Sequence, residues 1–149
     1  MPNKSKPESD ASRTALDFRF HHGGVSVPDL EASIAWYRDV LGFELETQFP
    51  IDQIPAKVAF MRKGELRFEL FEVPGAAPAS KDRGSPNLDL RTHGNKHLAF
   101  AVSDVHALAA ELKSRGADVV VVNDFEFGSN AFIRDNSGNL IEFLEANEP

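Results

Sequence analysis

The run His22-Gly23-Gly24-Val25-Ser26-Val27-Pro28-Asp29-Leu30 is answered 75 positions later by His97-Leu98-Ala99-Phe100-Ala101-Val102-Ser103-Asp104-Val105. In each, a histidine opens a short apolar run and an aspartate stands seven residues on. One pattern written twice in a chain of 149 residues points to a duplicated supersecondary unit whose copies share a core.

A helix is expected after each aspartate, because its carboxylate can accept from the unpaired N–H groups of a first helical turn. In the first copy Leu30, Ile34, Tyr37 and Leu41 recur at helical spacing, and Gly42 stands where a left-handed C-terminal cap is wanted. In the second copy Val105, Leu108 and Leu112 form the stripe. Lys113 and Arg115 complement the helix dipole, and Gly116 ends the helix. Strand patterns follow at 43–49, 57–62 and 65–72, with Lys63-Gly64 as a turn, and again at 118–122, 130–134 and 139–145, with Asp135-Asn136-Ser137-Gly138 as a turn. Each half therefore reads β-α-β-β-β. The fold class is α+β with two tandem βαβββ modules, module 1 over about 18–73 and module 2 over about 96–149 of one domain, 18–149. The Pro-, Gly- and charge-rich stretch 74–95 is the connector, long enough that part of it is expected to be ordered over a site. Residues 1–17 read as a disordered polar tail with no apolar core for a secretory signal.

Each module also ends on a similar glutamate, Glu69 in Phe68-Glu69-Leu70-Phe71-Glu72 and Glu142 in Ile141-Glu142-Phe143-Leu144-Glu145. Strand alternation places His22 with Gly24 and Ser26, and His97 with Ala99 and Ala101, so each histidine lies on a face of small residues with open volume before it. Glu69 shares a face with Arg67 and Phe71. Glu142 shares one with Leu140 and Leu144, a costly place for an unpaired charge that a metal would neutralise. A single strand histidine is more often an ordinary hydrogen-bonded residue than a ligand. Two His–Glu sets at matching places make His22, Glu69, His97 and Glu142 the candidate metal ligands, with Glu142 and Glu69 the candidate catalytic acid–base groups. His21 faces the other way. His93 and His106 read as surface residues, and Glu72 and Glu145 as solvated carboxylates. Trp36 and Tyr37 read as core or interface aromatics. Arg83, Arg91 and Lys96 are either a basic rim for an anionic substrate or solvated loop charges. No substrate-binding residue is singled out beyond these.

Composition narrows the function. A net charge of −7 argues against nucleic acid, whose phosphates need clustered Lys and Arg. The chain has no cysteine, which removes disulfides and thiolate chemistry and leaves His and carboxylates as metal donors. No apolar stretch is long enough to cross a membrane, and a cytoplasmic location is expected.

The runs His22–Gly42, His97–Asp104 and Phe132–Glu142 resemble the vicinal-oxygen-chelate superfamily, which includes glyoxalase I, methylmalonyl-CoA epimerase, extradiol dioxygenases and bleomycin-type resistance proteins. The resemblance covers nearly the whole chain after the tail. It implies sheets curled into a cup around one divalent metal per chain (Zn, Ni, Co, Mn or Fe). Positions matching His22, Glu69, His97 and Glu142 hold the metal in the isomerases and lyases, and those matching His22, His97 and Glu142 hold it in the dioxygenases. The chain departs from common members at Gly23-Gly24. It also lacks an Asn-Trp-Gly after Glu69 and a His-Pro-Lys near Asp135. The expected activity is a metal-dependent lyase, isomerase or epimerase that transfers a proton beside a chelated carbonyl, on a small molecule with adjacent oxygens. The alternatives are an Fe(II)-dependent extradiol-type dioxygenase and a metal-free small-molecule-binding resistance protein. A homodimer is expected from unpaired sheet edges and from the family.

Overall fold

The structure is a computed structural model that describes residues 14–145; most of the expected tail, 1–13, and residues 146–149 lie outside the described residues. Module 1 runs β1 (Gly23–Ser26), α1 (Leu30–Asp39), β2 (Glu44–Ile51), β3 (Ala56–Lys63) and β4 (Leu66–Glu72). After the connector, module 2 repeats the series as β5 (Leu98–Val102), α3 (Val105–Ser114), β6 (Asp118–Phe125), β7 (Gly128–Arg134) and β8 (Leu140–Glu145). The strand orders are β1-β4-β3-β2 and β5-β8-β7-β6, in two separate four-stranded sheets. In both, the first strand lies parallel to the last and the other pairs are antiparallel.

The helix caps are where the sequence places them. Asp29 accepts from Ala32 N at 3.0 Å and Asp104 from Ala107 N at 2.9 Å. Gly42 and Gly116 close the helices at positive φ, a conformation that costs a side chain but not glycine. The strands differ at their ends. β2 begins after Phe43, which turns into the core, and β6 runs three residues past the expected Val122 to Phe125. Register shifts interrupt β2 between Leu45 and Thr47 and β6 between Val119 and Val121, the same place in each module. A bulge adds a residue and local twist, so each strand continues past the point where strict alternation breaks.

Glu72 and Glu145 are not solvated as expected. Glu72 Oε1 accepts from Leu30 N at 3.0 Å, and Glu145 Oε1 accepts from Val105 N at 2.8 Å. Each last strand thus supplies a carboxylate to the first turn of its own module's helix, where free N–H groups and the dipole favour negative charge. Glu145 also accepts from Ser129 N through Oε2.

The modules are joined through a shared core. Tyr37, Phe43 and Phe68 of module 1 pack in one cluster with Leu112, Ile133, Ile141 and Phe143 of module 2. The Tyr37 hydroxyl donates to Asp135 Oδ2 at 2.9 Å in the β7–β8 turn. Burial, then the Asp135 charge and hydrogen bond, hold the Tyr37 phenol well above its usual pKa. At the seam, Gly23 and Leu98 hold equivalent places in the repeat, and a Cβ on Gly23 would lie 2.2 Å from Leu98 Cδ1. The first glycine of the first copy's opening pair thus has a packing reason: Leu98 fills the space a side chain at 23 would need.

The connector folds into a single 3-10 turn over Lys81–Gly84 and a short helix α2 (Pro86–Asp89). Asp89 is buried, and Lys96 Nζ donates to its Oδ1 at 3.2 Å, to its backbone oxygen at 2.7 Å and to Thr92 O. Arg83 Nε lies 3.5 Å from the same carboxylate, and Arg83 Nη2 donates to Asn95 O. Arg83 and Lys96 therefore tie the connector to the start of β5. Ser85, Pro86 and Asn87 border a cavity of ≈ 470 Å³ together with Val121, Asn123 and Phe132, so this ordered part lies along one face of the second sheet.

Replacing Glu145 with Ala removes two backbone partners of one charged group. It should lower stability by about 2 kcal/mol, against about 1 kcal/mol for Glu72→Ala, since hydrogen bonds to charged groups exceed ordinary cap bonds. Urea midpoints at unchanged slope measure both. Equal midpoints for Glu145→Ala and the parent protein would show that these carboxylates are solvated after all.

Candidate metal centre

His22 precedes β1, and the parallel register sets Gly24 opposite Glu69 on β4. The His22 and Glu69 side chains therefore meet on one face, with Nε2 2.9 Å from Oε2. In module 2 the register sets Ala99 opposite Glu142, and His97 Nε2 lies 2.9 Å from Glu142 Oε2. The third strand supplies a phenylalanine each time. Phe60 pairs with Glu69 and presents its ring edge-on to His22 at 5.1 Å; Phe132 pairs with Glu142 and does the same to His97 at 4.9 Å. Each half-site is thus a histidine, a glutamate and a phenylalanine on three neighbouring strands, and the four polar side chains are all a third exposed or less.

The two phenylalanines were not singled out in the sequence. Their signal was available, since each lies nine or ten residues before the glutamate of its module. Asn130 was also missed. Its Nδ2 donates to Glu142 Oε1 at 3.0 Å, and Asn123 Nδ2 donates to Asn130 Oδ1 at 3.0 Å. His21 lies closer to the site than its strand face suggests, with Nδ1 2.7 Å from His22 Nδ1. If His22 presents the bare Nε2 to a metal, its Nδ1 carries the proton and His21 Nδ1 accepts it.

Taken singly, each His–Glu contact is a hydrogen bond whose length is also the spacing of two neighbouring ligands of one divalent metal. Ligands at about 2.0–2.2 Å from one ion and roughly at right angles stand about 3 Å apart. Both His–Glu pairs have that separation. Neutral imidazole and carboxylate donors without thiolate suit Mn, Fe, Co, Ni or Zn. The pairs themselves do not converge. Both histidines border a cleft of ≈ 770 Å³ between the modules, yet among the described residues no three His, Cys, Asp or Glu side chains are placed to hold one ion.

The other candidates stay outside. His106 pairs with Asp124 at 2.6 Å on the surface, and that hydrogen bond raises its pKa. His93 is exposed. Further along the face of Glu69, Arg67 and Arg62 both bind Glu46, whose carboxyl they hold below the usual range, the Arg67 hydrogen bond contributing most.

Comparison with known proteins agrees with this architecture. The chain is 29% identical over 97 residues to the mitochondrial methylmalonyl-CoA epimerase of Mus musculus, a match covering 65% of this chain and 53% of that protein. The chain thus spans about half the length of that relative. It is 30% identical over 129 residues to the lactoylglutathione lyase of Haemophilus influenzae, covering 83% and 90% of the two chains. A crystal structure of a glyoxalase family protein from Enterococcus faecalis superposes with a TM-score of 0.72 at 21% identity, over 85% of this chain and 97% of that one. The pattern of the Glyoxalase/Bleomycin resistance protein/Dioxygenase superfamily matches residues 19–143. With most of its length matched and the duplicated βαβββ fold in place, the chain belongs to the glyoxalase/bleomycin resistance protein/dioxygenase superfamily.

Proposed function

We propose that the chain is a metal-dependent isomerase or lyase that moves a proton at the carbon beside a carbonyl, and that it works as a homodimer. The observation that carries this reading is the 2.9 Å His–Glu separation found twice, each the spacing of two neighbouring ligands of one ion. Similarity to an epimerase and to a lyase of one superfamily supports the class of reaction. Because the two pairs stay apart within one chain, His22 and Glu69 of one copy and His97 and Glu142 of the other would complete one four-ligand set, giving one metal per chain. When bound, the metal would act as a Lewis acid on a substrate with two adjacent oxygens, a 2-substituted acyl thioester or the hemithioacetal of a 2-oxoaldehyde.

The chain's own residues do the rest. A carboxylate of the site takes the proton from the carbon beside the carbonyl and returns it. Phe60 and Phe132 wall the imidazoles and keep water from their flanks. With a metal on its Nε2, His22 would donate from Nδ1 to His21, 2.7 Å away, which would hold its tautomer.

Three measurements test the reading. His22→Ala and His97→Ala should each lower metal content more than about tenfold by elemental analysis, while His93→Ala and His106→Ala keep it. Full occupancy in either of the first two would remove the metal assignment. Mixing the inactive His22→Ala and His97→Ala proteins after mild dissociation should restore about a quarter of the sites, because a mixed dimer holds one intact set. No recovery from a mixed dimer would place all four ligands in one chain. In D₂O, the metal-loaded protein should introduce deuterium at the carbon beside the carbonyl of the thioester or hemithioacetal. No exchange, together with metal-dependent O₂ uptake on a catechol, would replace the isomerase reading with the dioxygenase one.

A further inference from the structure

The connector borders the cleft between the modules and brings to it two cations that share one carboxylate. The ≈ 770 Å³ cleft bordered by His22 and His97 adjoins a second of ≈ 940 Å³ along the connector, and the two share Ser26, Ala77, Ala79, Arg83 and Asn139. Among the described residues no Asp or Glu lines the first cleft. Glu72 alone lines the second, where Leu30 N and Lys57 engage it. The chain carries a net charge of −7, so this lack of acids is local and not a consequence of composition. The cations are used differently. An ammonium has three N–H donors, and Lys96 spends its own on Asp89 O, Asp89 Oδ1 and Thr92 O, so its charge answers that of buried Asp89. A guanidinium has five donors. Arg83 makes one hydrogen bond, from Nη2 to Asn95 O, and its Nε stands 3.5 Å from Asp89 Oδ1, an ion pair without a hydrogen bond. Asp89 Oδ2 accepts nothing from it. Arg134, on the second cleft, is spent as Lys96 is, on Gly84 O and Asp118. Arg83, about half exposed where the clefts meet, therefore keeps spare donors and a charge that Asp89 does not cancel.

We propose that the neck between the two clefts binds a small organic anion, and that Arg83 is the residue that recognises its carboxylate or phosphate group. Both groups accept paired N–H bonds from a planar guanidinium, and a wall without carboxylates does not repel them. Ser26 at the same neck has a hydroxyl that can donate to the same group. Ala77 and Ala79 leave the neck open for it. The uncharged part of the ligand rests in the first cleft against Gly24, Val25 and Leu98. Lys96 is a positioning residue: by neutralising Asp89 it leaves the charge of Arg83 to the ligand. The site needs neither a metal nor the reaction proposed above, and the inference stands apart from both.

The test uses butyl phosphate and pentanoate, two probes with similar uncharged parts and different head groups, titrated by calorimetry at constant ionic strength. Amide resonances of Ser26, Gly138 and Asn139 report where a probe binds. The parent protein should bind at least one probe and shift those resonances, and the tighter probe identifies the head group. Arg83→Gln should weaken that binding about tenfold or more, the loss expected for a charge-assisted hydrogen-bonded pair. Ala79→Leu keeps every charge and fills the neck from an exposed position, so it should weaken binding as well. Arg91→Gln removes a connector charge that lines neither cleft and should stay within about twofold of the parent, as an exposed charge does. No binding of either probe by the parent, parent affinity in Arg83→Gln, or an equal loss in Arg91→Gln would overturn the site.

Discussion

The buried hydrogen bond from Tyr37 to Asp135 is the constraint around which the two halves of the molecule are arranged. Asp135 is nearly inaccessible, and a buried carboxylate persists only when its oxygens are satisfied. Oδ1 accepts from Ser137 N and Asn139 N, which shapes the β7–β8 turn, and Oδ2 accepts from Tyr37 and from Asn139 Nδ2. One residue thereby folds a turn of module 2 and receives the helix of module 1. Ser33 Oγ to Asn136 and Arg115 Nη1 to Val40 O extend the same docking. The aromatic core from Tyr37 through Phe68 to Phe100 and Phe143 closes beneath it. Apolar burial supplies most of the favourable energy, but the polar contacts set the angle at which the modules meet.

That angle decides what a single chain can do. With the buried faces of the two sheets sharing one core, the opposite face of each sheet carries its own His–Glu–Phe set. The parallel pairing of first and last strands makes each set inevitable once the sheet forms, because it puts a residue two before the glutamate's partner beside the glutamate itself. Register therefore fixes the 2.9 Å contact within a module, whereas docking fixes the separation between modules. Besides His21 at the first half-site, the half-sites differ in what the neighbouring strands bring, Asn130 and Asn123 from β7 and β6 in one and Val58 and Phe49 from β3 and β2 in the other.

Much of this was legible in the chain, and the parts that were not share a cause. The repeat, the caps at Asp29 and Asp104, the stops at Gly42 and Gly116 and the four polar site residues are local signals of spacing and residue type. The bulges in β2 and β6 were hidden because an extra residue imitates the end of an alternating pattern. Glu72 and Glu145 looked like edge charges because nothing local shows a strand end meeting its module's helix start. Phe60, Phe132 and Asn130 act across strands, so their roles depend on register, which the sequence implies only after the sheet order is known. Arg83 and Lys96 were open to two readings, and buried Asp89 is the third party that engages both.

A site assembled from two copies would also change what stability means for this protein. If each ion takes two donors from either copy, the metal binds the assembled state and not the separate chains. Its binding free energy then adds to that of association, growing with the logarithm of free metal concentration. Neither half-site offers a complete cage, so a lone chain would hold an ion weakly with two donors, and the full set would form only when the second copy docks. The carboxylates gain as well. Glu69 and Glu142, each partly buried against an imidazole and a phenyl ring, would meet a divalent charge only in the assembled state. Their burial, a cost in the isolated chain, would in such an assembly exclude water and strengthen every charge interaction at the site.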